Sequence, residues 1–207
     1  MGLFLPFTPH GRTTELLALK VKERLGFVPT QALDPLLVLE RIPARTIDAR
    51  LLWDHAPSIA RELFIEHPRY WSGVGFGKSP HDGVELILLN PAHSVTRRRA
   101  SLMEEIVHIV LDHRKSCLVK DAATGYWERT HDEDAEDEAY SVGAACLLPY
   151  PELFHAVRDA HEGAETIANR LTVSIDYVEF RIKRAGLFGL YRKSVPLERR
   201  MPRRADS

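Results

Sequence analysis

Cysteine, long apolar segments and excess charge of either sign are all scarce in this 207-residue sequence. The two cysteines, Cys117 and Cys146, exclude a disulfide framework and a paired-cysteine zinc site. No apolar run approaches the ~20 residues that a membrane-spanning helix needs. The 28 basic and 29 acidic residues give a formal charge of -1, so overall charge predicts no polyelectrolyte partner. These absences favour a cytoplasmic protein with no membrane partner.

The residues that are present supply one sizeable core. Hydrophobic residues make up 44% of the chain, and we assign them mainly to a domain at residues 1–155. The apolar run 85–90 is the clearest strand, and a hairpin is predicted around Thr124-Gly125. The alternating glycines of 71–77 are interpreted as a glycine-rich strand or a loop, with a loop or bulge preferred. The pattern predicts an α+β fold. Its predicted helices are 13–25, 34–40, 94–112 and 136–148.

Residues 160–190 predict a short helix-turn-helix-like module. Segment 165–187 has the apolar spacing of two short helices around a turn, and the basic residues 191–207 are predicted to form a flexible tail. DNA contact through 165–187, with Arg181 near phosphate, is one interpretation. A helical hairpin packed on the first domain is the alternative, because acidic side chains such as Asp176 would repel phosphates.

The predicted helix 94–112 carries a pattern with metal chemistry. Glu104 and His108 are four residues apart and share one helix face, and Glu105 lies about 100° further round. In a His-Glu-x-x-His helix the two histidines bind zinc and the intervening glutamate is the general base. Here Glu104 stands where the first histidine would be. The pattern predicts Glu104 and His108 as metal ligands and Glu105 as base, although a solvated glutamate pair beside a half-buried histidine also explains these residues alone.

A third ligand is expected from another element, because zinc hydrolases commonly use three protein ligands and leave the fourth position for water. The acidic start of helix 136–148 offers one. Glu138 is the preferred residue, and Glu136, about 200° away round the helix, is the alternative. The small residues that follow, such as Gly143, predict close packing of this helix against another.

Two features near this pattern are given structural roles. His113 is expected to point about 140° away from His108 and to cap the C-terminal end of the helix. The three arginines at 97–99 lie at a helix start, which disfavours positive charge, so acidic partners such as Glu136 or Asp137 are expected for them.

The segments 97–108 and 136–149 together resemble the ImmA/IrrE metallopeptidase domain. That family has a helix of the form Arg-x-Arg-x-Thr/Ser-Leu-x-His-Glu-x-x-His and a second motif, Glu-x-Glu-Ala-x-x-Phe-Ala-Ala-x-Leu-Leu-x-Pro. The departures of this sequence from the motifs include Glu104, Val142 in place of the aromatic residue and Gly143 in place of the first small alanine. The Asn-Pro pair at 90–91, which follows a strand, also fits the family's order of elements, and the resemblance spans 15–155.

The resemblance implies a zincin-like fold and a metal site. Carried over by position, the ligands are Glu104, His108 and Glu138, and the base is Glu105. Two carboxylates and one imidazole make a harder site than two imidazoles and one carboxylate, so manganese or iron(II) competes better with zinc. A metal-free site, with its carboxylates bonded to Arg97 or Arg99, is the other possibility.

The resemblance also implies a function. It predicts a metallopeptidase that cleaves a regulatory protein, with a helix-turn-helix repressor or antitoxin as the expected target. The alternative is a non-catalytic protein that keeps the fold and acts as a transcriptional or stress regulator through protein or DNA binding.

Overall fold

The protein is built from helices packed around a small sheet. The computed structural model describes residues 4–66, 68–69, 71–113 and 132–200, and the backbone of 118–120 and 127–129. The α+β class predicted from the sequence is confirmed. The strands are β1 (Ala44–Ile47), β2 (Gly73–Lys78), β3 (Glu85–Leu89), β4 (Leu118–Lys120) and β5 (Trp127–Arg129). The helices are α1 (Pro9–Arg24), α2 (Pro35–Leu39), α3 (Ala49–His55), α4 (Pro57–Arg61) with a π-helical turn (Glu62–Glu66), α5 (Val95–Val110), α6 (Glu133–Leu147), α7 (Tyr150–Arg158), α8 (Ala164–Leu171), α9 (Ile175–Arg184), α10 (Phe188–Ser194) and α11 (Leu197–Arg200).

The three-stranded sheet has the order β1-β3-β2, with β1 parallel and β2 antiparallel to β3. The predicted strand at 85–90 is confirmed as the central β3, where Ile87 and Leu88 are fully buried. The glycine-rich segment is the strand β2, and its register shifts between Gly75 and Gly77, as expected for a bulge. Strands β4 and β5 pair as a hairpin, while the turn at Thr124-Gly125 lies outside the described residues.

Helices α5 and α6 pack closely side by side. The side chain of Ser94 caps α5, and that of Asp132 accepts a hydrogen bond from the Ala135 amide and caps α6. This cap starts α6 three residues before the predicted position 136, because its acidic first turn is favoured at a helix N-terminus. A Cβ placed on Gly143 would lie 3.5 Å from the backbone nitrogen of Glu104. The small residues of α6 therefore permit the close packing that the sequence predicted.

A buried ion pair joins the first helix to the ninth. Arg181 of α9 is 0% exposed and donates to a carboxylate oxygen of Glu15 on α1 and to the Leu148 carbonyl at 3.0 Å. The other Glu15 oxygen accepts from the Tyr150 amide at 2.7 Å. The expectation that Arg181 faces DNA is therefore wrong, because it lies on the buried face of α9 beside Val178 and Ile182.

The C-terminal helices share one hydrophobic core with the rest of the chain. Helices α8 and α9 meet at Thr172, which has a left-handed backbone, so the two predicted helices and their turn are present. Residues 191–200 differ from the predicted flexible tail: they are largely helical, Val195 is buried, and the Tyr191 hydroxyl accepts from the Ala164 amide at 3.0 Å. The division at 155–160 and the DNA-binding role of α8 and α9 stay predictions. In the part of the chain that the structure describes, no helix is both long and apolar enough to cross a membrane.

Candidate metal centre

Three ligand-type side chains converge where α5 passes the first turn of α6. Glu104 and His108 lie one turn apart on α5, and Glu136 comes from α6. One ligand atom from each residue can be chosen so that all three lie within 4.8 Å of one another, and His108 Nε2 is 3.7 Å from Glu136 Oε2. A tetrahedral site with bonds of about 2.1 Å separates its ligand atoms by about 3.4 Å. Small side-chain movements would therefore bring these atoms to the separation that a cation requires.

The charges at this centre favour a cation. Burial, followed by the neighbouring Glu105 and Glu136, raises the pKa of Glu104 from 4.5 to about 8. A divalent cation would offset both the desolvation and the repulsion between carboxylates. Two carboxylates and one imidazole are suitable ligands for such an ion. The donor set present therefore fits a metal.

The carboxylate of Glu105 lies against strand β2. A Cβ added to Gly73 would be 3.4 Å from Glu105 Oε1, and one added to Gly75 would be 3.1 Å from Oε2. The bare backbone at these two glycines therefore makes room for the carboxylate between α5 and the sheet. Gly73 and Gly75 are two residues apart, so they lie on the same face of a strand. This spacing was the sequence signal for the contact with Glu105, and interpreting the segment as a loop or bulge missed it.

Glu136, rather than Glu138, stands beside Glu104 and His108. Helix positions 136, 139 and 143 share one stripe, and Gly143 contacts α5 at Glu104. Glu136 therefore faces α5. The Glu138 carboxylate lies on another side of α6, where its Oε1 is 3.0 Å from His113 Nε2.

His113 lies against His108, so the expectation that it points away is wrong. Helix α5 ends before Asp112, which takes a positive φ of 58°, and the His113 amide then donates to the His108 carbonyl at 3.0 Å. This turn is a Schellman motif, and it folds the His113 ring back over the helix end. The two Nδ1 atoms are 3.0 Å apart. An angle calculated for a continuing helix could not anticipate this reversal.

Two of the arginines at the start of α5, Arg97 and Arg99, have partners other than Glu136 and Asp137, and the partner of Arg99 is acidic as expected. Arg97 donates to Ser72 Oγ at 2.9 Å, and Arg99 donates to Asp34 Oδ1 at 3.1 Å. Asp137, an expected partner, instead accepts from Arg184 of α9. Arg97 therefore links α5 to the residue before β2, and Arg99 links α5 to the N-cap of α2.

The fold and this centre agree with a family comparison. The model of a peptidase family described as the IrrE N-terminal-like domain matches residues 31–183, which include the whole sheet β1–β3 and helices α5 and α6. No curated protein matches the sequence. The matched segment covers more than half of the chain and carries every residue of the candidate centre. The chain therefore belongs to the IrrE N-terminal-like, or ImmA/IrrE-type, peptidase family.

Proposed function

We propose that the protein is a metal-dependent peptidase that hydrolyses a peptide bond in a regulatory protein. The observation that carries the proposal is the convergence of Glu104, His108 and Glu136 within 4.8 Å, beside the carboxylate of Glu105. Family membership supports a metallopeptidase-like activity on a protein substrate. It does not favour the non-catalytic alternative.

Glu104, His108 and Glu136 would hold the cation, and Glu105 would move protons. A bound divalent cation supplies Lewis acidity, which polarises a carbonyl and lowers the pKa of water. The Glu105 carboxylate accepts a proton from the attacking water and donates it to the leaving amine. The Glu105 carboxylate lies between α5 and β2, on the side of α5 that faces the sheet. With two carboxylate ligands, manganese or iron(II) competes with zinc for the centre.

Strand β2 offers a place for the substrate. It is an edge strand of the three-stranded sheet formed by the described residues, and an extended peptide can add to such an edge through backbone hydrogen bonds. A peptide along β2 would pass Gly73 and Gly75, against which the Glu105 carboxylate lies. The family resemblance favours a helix-turn-helix repressor or antitoxin as the protein that supplies this peptide.

Metal analysis of protein purified without chelator tests the ligands. We expect near-stoichiometric metal in the wild type and in His155→Ala, which removes an exposed histidine of α7, and its loss in His108→Ala. Glu136→Gln should weaken binding. Failure of the wild type to bind added zinc or manganese would contradict the proposal.

Peptide hydrolysis tests the base. Glu105→Gln should keep its metal and lose roughly 10²–10⁴-fold in cleavage rate, since it cannot accept a proton. A peptide library with mass-spectrometric detection of new termini measures the rate without a known substrate. Unchanged cleavage by Glu105→Gln would assign the base to another residue.

A further inference from the structure

The side chains of Glu138, His113 and His108 form a hydrogen-bonded chain beside the metal centre. Glu138 Oε1 is 3.0 Å from His113 Nε2, and His113 Nδ1 is 3.0 Å from His108 Nδ1. The two imidazoles meet edge to face, at 80°. The His113 side chain is 10% exposed and that of Glu138 is 42% exposed. This series of hydrogen bonds therefore runs from the solvent-facing side of α6 to His108 of the candidate metal centre.

The direction of these hydrogen bonds, from donor to acceptor, follows from the protons that each group carries. An ionised carboxylate only accepts hydrogen bonds, so Glu138 requires a proton on His113 Nε2. A neutral imidazole carries one proton, which leaves His113 Nδ1 as an acceptor. The contact between the two Nδ1 atoms then requires the proton on His108 Nδ1. His108 Nε2, the atom 3.7 Å from Glu136, consequently carries the lone pair.

We infer that Glu138 and His113 are positioning residues that hold His108 in the tautomer able to bind a metal through Nε2. The hydrogen bond at one ring nitrogen determines which nitrogen can bind a metal, and outer partners of this kind orient the ligand ring. The metal-binding half of this inference rests on the proposed function. The tautomer of His108 can be tested in the protein without a metal.

The backbone supports this assignment. The positive φ of Asp112 and the hydrogen bond from the His113 amide to the His108 carbonyl place the two rings together. The orientation of the pair is therefore set by the turn at the end of α5. A preformed ring orientation leaves less side-chain freedom to be lost on binding.

Nitrogen NMR of the imidazoles tests the tautomer in chelator-treated protein. Long-range ¹H–¹⁵N spectra, with the His108 signals identified by their absence in His108→Gln, should show the proton on Nδ1 in the wild type. Glu138→Gln keeps an acceptor oxygen and should keep this tautomer. His113→Phe keeps a ring but removes the acceptor, and should lose it. A wild-type proton on His108 Nε2, or an unchanged spectrum in His113→Phe, would overturn the inference.

Metal affinity supplies the second readout. Competition with a chelator for zinc(II) should show a 10–100-fold loss in His113→Phe and Glu138→Ala, the usual cost of removing an outer partner. Glu138→Gln should bind nearly as the wild type does. Glu133→Gln removes an exposed carboxylate from the same helix and controls for net charge.

The two readouts separate the inference from the proposed function. Wild-type affinity in both His113→Phe and Glu138→Ala would overturn the positioning role and leave the metal centre intact. Absence of zinc(II) binding in the wild type would overturn the metal-dependent function, and the NMR spectra would still decide the tautomer. A folded state is expected for Glu138→Ala because its side chain is partly exposed.

Discussion

At the scale of single residues, Glu104 makes the stability of the metal-free centre depend on pH. Its pKa in the folded protein is about 8, against an ordinary value of 4.5. Between these two values the folded protein holds a proton that the unfolded chain has released. The stability contributed by this group is therefore fully present below pH 4.5 and is lost as the pH rises towards 8.

Replacement of this carboxyl by an amide should remove that dependence. In protein treated with a chelator, Glu104→Gln should be more stable than the wild type by roughly 1–3 kcal/mol near pH 8.5, with a much smaller difference near pH 5. Urea denaturation at the two pH values measures the free energy of unfolding. Glu133→Gln, which changes an exposed carboxyl, should show no such difference. An equal effect of Glu104→Gln at both pH values would refute the role assigned to burial.

The sequence predicted those site residues whose positions follow from one regular helix. The four-residue spacing of Glu104 and His108 was enough to bring them to one face. His113 was misplaced because its position depends on the chain reversal at Asp112, and a non-glycine residue with positive φ leaves only a weak sequence signal. The choice between Glu136 and Glu138 required the rotation of α6 about its own axis, which only packing determines.

At the scale of elements, the glycines of β2 leave room for the carboxylate of Glu105, the proposed base. A Cβ on Gly75 would lie 3.1 Å from Glu105 Oε2, closer than an ordinary contact. The atom it meets is the end of a flexible side chain, so the strand can keep its fold while the carboxylate moves away. This predicts that catalysis depends on the missing side chain more than stability does.

Gly75→Ala should accordingly separate activity from metal content. We expect roughly a tenfold or greater loss in cleavage rate, since small displacements of a catalytic group are costly. Bound metal and the melting temperature should change little. Gly189→Ala is the matched control, because a Cβ there meets no atom within 4 Å. Full activity in Gly75→Ala would show that Glu105 tolerates the displacement or acts from another position.

The start of α5, the C-terminal ends of the predicted helices and the central strand were best predicted, whereas α1 and α6 begin before their predicted starts. Capping side chains such as Ser94 mark helix starts locally, and a strand buried on both faces reads as a continuous apolar run. Strand β1 and helix α3 were missed. The former is half exposed and the latter has no buried residue, so neither shows the periodicity that reveals an amphipathic element.

At the scale of the whole molecule, the pair between Glu15 and Arg181 connects residues 166 positions apart. One interpretation of the sequence placed Arg181 near DNA phosphate, and its burial was missed because a partner so distant in the sequence leaves no local pattern. Its burial leaves Lys183, which is exposed on α9, as a better probe of the proposed DNA contact. The family match ends at residue 183, so it includes this pairing helix up to its last turn.

Loss of one partner from this pair should destabilise the fold far more than loss of a surface pair. Arg181→Met leaves the Glu15 carboxylate buried without its cation and should cost about 3–5 kcal/mol in the free energy of unfolding, measured with urea. Arg170→Met is the control, because Arg170 pairs with Glu152 and Glu162 at 40% exposure and should cost at most about 1 kcal/mol.

A double variant identifies the cause of that cost. Glu15→Gln keeps an oxygen for the Tyr150 amide and removes the carboxylate charge that has lost its Arg181 partner, so adding it to Arg181→Met should restore part of the lost stability. If the two changes were merely additive, the loss in Arg181→Met would come from its packing and its hydrogen bond to Leu148. Partial restoration would instead establish the ion pair as the link that holds α9 to α1.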